Sequence, residues 1–76
     1  ALQEEETGVM EALQSIKEPW RIVLFMHELE GFTYSEIAAV TRVPESTVKY
    51  RAVQAKRVLR TEIEKQEKEL KGGAEQ

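Results

Sequence analysis

The sequence predicts an all-α fold: a compact four-helix domain containing a helix-turn-helix, with a long basic C-terminal helix presented outward. Three observations carry this. Apolar residues recur at three- and four-residue steps in four successive segments. Pro or a capping box opens three of those segments and Gly closes one. No stretch shows the two-residue alternation of a half-buried strand.

The first helix is expected over about Gln3–Ile16, where Val9, Met10, Leu13 and Ile16 share a face, with Thr7-Gly8 as an alternative start. Lys17-Glu18-Pro19 breaks that pattern. Pro19 fits the first position of a second helix, which runs to about Glu30. That helix is apolar almost all round, with Trp20, Val23, Leu24 and His27 on one side and Ile22, Phe25, Met26 and Leu29 filling much of the rest, so burial on several sides is expected. Gly31 ends it.

Thr33 and Glu36 form a capping box: the Thr hydroxyl accepts from the Glu36 N–H, and the Glu36 carboxylate accepts from the Thr33 N–H. The short third helix that follows packs through Ile37, Ala38 and Val40, and Thr41-Arg42-Val43 makes a turn. Pro44 opens the last helix. Its inner stripe is Val48, Ala52, Ala55, Leu59 and Ile63, at steps of four, three, four and four.

Composition narrows the chemistry. The 76 residues include no Cys, no Asp and one His, and all 14 acidic residues are Glu. Triads built on Ser-His-Asp or on Cys-His are therefore absent, as is a zinc site with several His or Cys ligands. Paired Glu residues remain open as acid/base partners, although in a Lys- and Glu-rich helical chain they usually form a solvated helix face; no cofactor or metal is expected. The chain contains no run of about 18 apolar residues, so no membrane partner is expected, and the absence of Cys suits a reducing cytoplasm.

The charges are segregated. Residues 1–36 carry eight Glu against Lys17 and Arg21; residues 37–60 carry Arg42, Lys49, Arg51, Lys56, Arg57 and Arg60 against Glu45; residues 61–76 carry five Glu against three Lys. The net charge of −3 thus hides a basic segment that coincides with the turn and the last helix. Such an island is an electrostatic footprint for a polyanion.

With Ala38 at the close-contact position of a helix-turn-helix, Val43 follows the turn and Val48 is the core residue of the second helix. The exposed start of that helix then holds Ser46, Thr47, Lys49, Tyr50, Val53 and Gln54, beside Glu45, where they can approach base edges in a major groove. Arg42, Arg51, Lys56, Arg57 and Arg60 lie where a phosphate backbone would pass.

Taken together, the run over residues 12–38 and the Val43-Pro44-Glu45-Ser46-Thr47-Val48-Lys49-Tyr50-Arg51 segment resemble region 4 of bacterial sigma factors, most closely the extracytoplasmic-function group. The matching elements are Glu28–Gly31, Tyr34 with Glu36-Ile37-Ala38, Val43-Pro44, and Thr47-Val48-Lys49 with Arg51; the likeness covers about residues 12–60. It implies recognition of the minus-35 promoter element in double-stranded DNA. It also implies docking on the β flap of RNA polymerase core, which supplies the catalysis so that the domain itself is no enzyme, together with control by an anti-sigma factor, a bacterial cytoplasmic setting and a monomeric free domain. Trp20, Phe25, Leu29 and Phe32 are the candidates for the protein-docking face. Residues 1–76 are expected to form one such domain, frayed at about 1–6 and 72–76, within a longer sigma factor.

This sequence departs from the family pattern at three places. Arg42 stands where the turn commonly has Gly, Tyr50 where Ser commonly follows Thr-Val-Lys, and Gln54-Ala55-Lys56 where Arg-Ala-Arg is common. Gln pairs in bidentate fashion with adenine and Arg with guanine, so base preference is expected to differ. Two other readings fit parts of the pattern: the DNA-binding output domain of a two-component or quorum-sensing regulator, and a sigma-like domain acting mainly by binding an anti-sigma protein. The first usually has His soon after Thr-Val-Lys, where this chain has Tyr50-Arg51.

Overall fold

The computed structural model describes the backbone of residues 2–75 and the side chains of residues 8–69. Four helices follow in order: α1 (Leu2–Gln14), α2 (Glu18–Glu28), α3 (Tyr34–Thr41) and α4 (Glu45–Glu75). The described residues contain no strand. Residues 2–6 and 72–75, expected to fray, carry helical backbone, and residues 1 and 76 lie outside those described.

α4 is the spine. Its 31 residues set the longest dimension of the molecule, 50 Å, and α1, α2 and α3 all pack on it. The helix runs through Gly72 and Gly73. Glycine lowers helix propensity by about 1 kcal/mol but introduces no clash, so it weakens a helix without terminating it. α1 likewise passes through Thr7 and Gly8. The Gly8 carbonyl accepts a hydrogen bond from Gln66 Nε2 at 2.9 Å, which ties α1 to the far half of α4. A Cβ at Gly8 would stand 2.8 Å from Gln66 Oε1, so glycine lets the two helices approach here.

Two apolar clusters fill the interior. Val23, Ile37, Val48 and Ala52 join α2, α3 and α4, with Met26, Phe32, Tyr34, Ala38 and Val43 around them. Ile16, Leu24 and Ala55 join the end of α1 to α2 and α4, with Leu13, Trp20, Val58 and Leu59 around them. Ala52 and Ala55 are almost fully buried. Their small side chains allow α2 and α3 to lie close against α4. Among the described residues no polar or charged residue is buried, so the core needs no internal polar network.

Only part of α2 is enclosed. Val23 and Leu24 are buried, while Ile22 is 42% and Leu29 76% exposed. The expected packing role of Val40 is also corrected: it is 65% exposed. Ile37, Ala38 and Tyr34 define the inner face of α3, and Val40 lies about a third of a turn away from its centre.

The turns follow local chemistry. Gly31 takes φ +77°, a left-handed value that glycine adopts without a Cβ clash, and the Phe32 N–H donates to the Met26 carbonyl at 3.0 Å. His27 Nδ1 lies 2.8 Å from the Phe32 carbonyl and therefore donates its proton there, while the imidazole packs on Tyr34 with ring centroids 4.4 Å apart. This pins the end of α2 to the start of α3.

The capping box is formed in full. Glu36 N–H donates to Thr33 Oγ1 at 3.1 Å, and Thr33 N–H donates to Glu36 Oε1 at 2.8 Å. Thr33→Ala is expected to cost about 1 kcal/mol, lowering the melting temperature by about 4–8 °C, as read by circular dichroism.

The hydrogen bonds from Thr33 also hold the Glu36 carboxyl below the usual carboxylate range, and the hydrogen bond and charge of Lys56 do the same for Glu28. Both folded values lie below the unfolded ones. Their stabilisation is present above the unfolded carboxylate range and is lost as pH falls through the folded values. Lys56 is raised by its hydrogen bond to Glu28. Its stabilisation is complete below the unfolded lysine range and is lost as pH rises through the folded value.

Candidate nucleic-acid interface

The interface is built on the first four turns of α4, and the turn before them sets how they are presented. Arg42 sits at φ 60°, ψ 39°, in the left-handed region. Its N–H donates to the Ala38 carbonyl, closing the end of α3, and Val43 N–H reaches the same carbonyl at 3.3 Å. A non-glycine residue there carries a strain of about 1–2 kcal/mol. Arg42→Gly is expected to raise stability by up to about 1 kcal/mol, because glycine relieves the strain but gains freedom in the unfolded chain. If Arg42 meets a phosphate, the same variant binds duplex DNA more weakly. A melting curve and a binding titration on one sample separate the two effects.

Pro44 precedes α4, and its carbonyl accepts from the N–H groups of Thr47 and Val48 at 3.0 and 3.2 Å. Val48 is fully buried and fixes the rotation of the helix. At about 100° per residue, Ser46, Tyr50, Val53 and Arg57 then form the outermost stripe, opposite Val48. All four are exposed, with Tyr50 at 58% and Val53 at 54%. Lys49 lies on one flank of this stripe; Thr47, Arg51 and Gln54, all half-buried, lie on the other. A short central row between two flanks is the shape needed to face base edges with a phosphate strand on either side.

Among the described residues, Lys49 and Lys56 form ion pairs within the chain. Lys49 Nζ is 3.3 Å from Glu45 Oε2, one helical turn away. Lys56 Nζ is 3.0 Å from Glu28 Oε1 on α2, which draws Lys56 toward the body of the domain. Both pairs are close to half exposed, and pairs of this kind contribute little stability. Arg42 and Arg57 are exposed.

A contact that helical spacing does not reveal adds to the site. Trp20, at the start of α2, meets Tyr50 edge to face, with centroids 6.3 Å apart and planes at 84°. Lys17 Nζ lies 4.9 Å over the Trp20 ring. Lys17 thus stacks on the ring that meets Tyr50 of the outward stripe. The sequence signal was present in Lys17 standing three residues before Trp20, but its proximity to Tyr50 depends on how α2 crosses α4.

The four candidates for protein docking do not share one face. Trp20 and Phe32 pack against different core clusters. Phe25 and Leu29 lie with Ile22 on the outward side of α2, at i, i+3 and i+7. Ile22 was not among the expected docking residues, although its spacing to Phe25 and Leu29 is legible in the sequence.

Among the described residues there is no group of three or more His, Cys, Asp or Glu placed to hold a metal ion. None of their helices is long and apolar enough to cross a membrane.

Residues 7–59 match the family described as Sigma-70, region 4. The span runs from α1 to the fourth turn of α4 and includes both core clusters, the left-handed turn and the outward stripe. Region 4 is a DNA-binding regulatory unit that works with RNA polymerase, and its family is not one of enzymes. The match takes in the capped α3, the tight turn and the first four turns of α4 and covers well over half of the sequence, so the chain belongs to the sigma-70 region 4 family.

Proposed function

We propose that this domain recognises the minus-35 element of promoters, with Ser46, Tyr50, Val53 and Gln54 facing base edges. Thr47, Lys49 and Arg51 contact the flanking phosphates, Arg57 at the far end of the stripe meets the backbone where the helix leaves the groove, and Arg42 and Lys56 stand at the margins. The observation that carries the proposal is the exposed stripe of α4 with cations on both flanks, on a chain whose other segments are acidic. Net repulsion elsewhere leaves this face as the one that a polyanion can approach. Glu45, 3.3 Å from Lys49, lies at the helix start, where an anion is favourable to the dipole and is available to accept from a cytosine amino group.

In this reading RNA polymerase delivers the domain, and the outward side of α2 docks on the β flap. An anti-sigma factor would control activity by covering either face. The docking surface is Ile22, Phe25 and Leu29, an apolar row with Leu29 at its most exposed point. Leu29→Glu is expected to leave stability within about 0.5 kcal/mol of the parent, as read by a melting curve, because an exposed side chain is changed. It should reduce capture of the isolated β flap at least about tenfold, as an anion is placed in an apolar contact. Equal capture by the two proteins, at equal helix content, would move the docking surface elsewhere.

A further inference from the structure

The family match ends at Leu59, yet α4 continues for about three more turns within the described side chains. That continuation presents an open face formed by Lys56, Leu59, Arg60, Ile63, Glu64 and Glu67. Leu59 and Ile63 are half-buried at its centre, and the four charged residues are exposed. The charges are ordered along the helix: both cations lie toward the DNA-reading end and both anions toward the other.

We propose that this face of α4 is an isologous contact between two copies of the chain, packed antiparallel about a two-fold axis near Thr61 and Glu62. The argument is self-complementarity. Lys56 and Glu67 are spaced almost symmetrically about that point, as are Arg60 and Glu64, and Leu59 and Ile63. A two-fold rotation brings each residue against the other member of its pair on the second copy. Arg60 then faces Glu64 in both directions, Lys56 reaches Glu67 by exchanging its pairing with Glu28, and the aliphatic residues meet at the centre. A parallel arrangement would set like charges opposite one another. The contact is one helix face wide, smaller than a standard stable interface, so it is weak and depends on concentration and salt. It departs from the monomeric state expected for a free region 4 domain.

The test uses two charge reversals at exposed positions that touch neither core cluster: Arg60→Glu and Glu64→Arg. Sedimentation equilibrium at low ionic strength, up to about 1 mM chain, reads the dimer. Each reversal alone sets like charges together twice across the axis. It should raise the dissociation constant about tenfold, from two exposed pairs turned from attraction to repulsion. In an equimolar mixture of the two variants, one copy is acidic at positions 60 and 64 and the other is basic at both. Opposite charges then meet at both contacts, and the mixture should recover dimer to the parental level. Ile63→Gln, with all charges kept, should disperse the parent in the same assay. A parent that stays monomeric throughout that concentration range overturns the proposal. So do reversals without effect, and so does a mixture that sediments no heavier than its components.

Discussion

Replacing Lys49 and Arg51 together by alanine is expected to weaken duplex DNA binding roughly a hundredfold at low salt, taking about 1.4 kcal/mol for each charged hydrogen bond lost. The two residues sit two positions apart on α4 and so lie about 160° apart around it, on opposite flanks of the outward stripe. One phosphate strand passes each flank, and removing both cations releases the helix from both sides. The logarithm of the binding constant should also fall less steeply with salt, its slope shrinking by about 1.8 for two phosphate contacts. Lys65→Ala with Lys68→Ala changes the net charge equally, about four turns further along α4, and should move neither quantity by more than the general field does. Arg51 is half-buried, and its stem contributes packing as well as charge, so a melting curve accompanies the titration. Because phosphate contacts carry no sequence information, the preference for one duplex over another should survive the double change. It should shift instead in Gln54→Ala. An unaltered affinity and salt slope in the double variant would remove α4 from the DNA interface.

What the sequence disclosed and what it concealed divide by range of contact. The capping box at Thr33–Glu36, the stop at Gly31, the opening at Pro44 and the stripe Val48–Ala52–Ala55 depend on neighbours within four residues, where periodicity and hydrogen-bonding capacity are read directly from side-chain type. The outward placement of Tyr50 and Val53 then follows from the burial of Val48. The concealed features join separate helices. Glu28 takes Lys56 across 28 positions, Trp20 meets Tyr50 across 30, and Gln66 reaches Gly8 across 58. No repeat in the sequence marks such pairs, because they depend on crossing angles set by the whole core. Val40 shows the limit of pattern within one element. In an eight-residue helix, a β-branched residue near the edge of the apolar face fits the pattern whether or not neighbours cover it, and here they leave it 65% exposed. The left-handed Arg42 lies between the two cases: its departure from glycine was legible, and the strained backbone it would require is present.

Ile37→Ala is expected to remove about 2–5 kcal/mol of stability, the usual cost of deleting a buried aliphatic side chain and leaving its space unfilled. Ile37 is fully buried where α3 meets Val23 of α2 and Val48 and Ala52 of α4. Three helices contribute to that cluster, so none of them can close the gap alone without disturbing its contacts with the others. For a chain of 76 residues the total stability is on the order of 4–11 kcal/mol, so the substitution removes a large share of it. The melting temperature should drop by about 10–30 °C. Val40→Ala on the same short helix is the matched comparison. That residue is 65% exposed, and its loss should stay within about 0.5 kcal/mol. The consequence reaches function through geometry. Ile37 and Val48 together set how α4 is rotated under the turn, and a loosened α3 lets the outward stripe swing relative to the flanking Arg42. Duplex binding by the Ile37 variant should therefore decline well below its melting temperature, before helix content is lost. If the variant stays within about 1 kcal/mol of the parent, less than any unfilled cavity of this size costs, the cluster beneath the turn is not closed by this side chain. The rotation of α4 must then be held by the Leu24–Ala55 cluster instead.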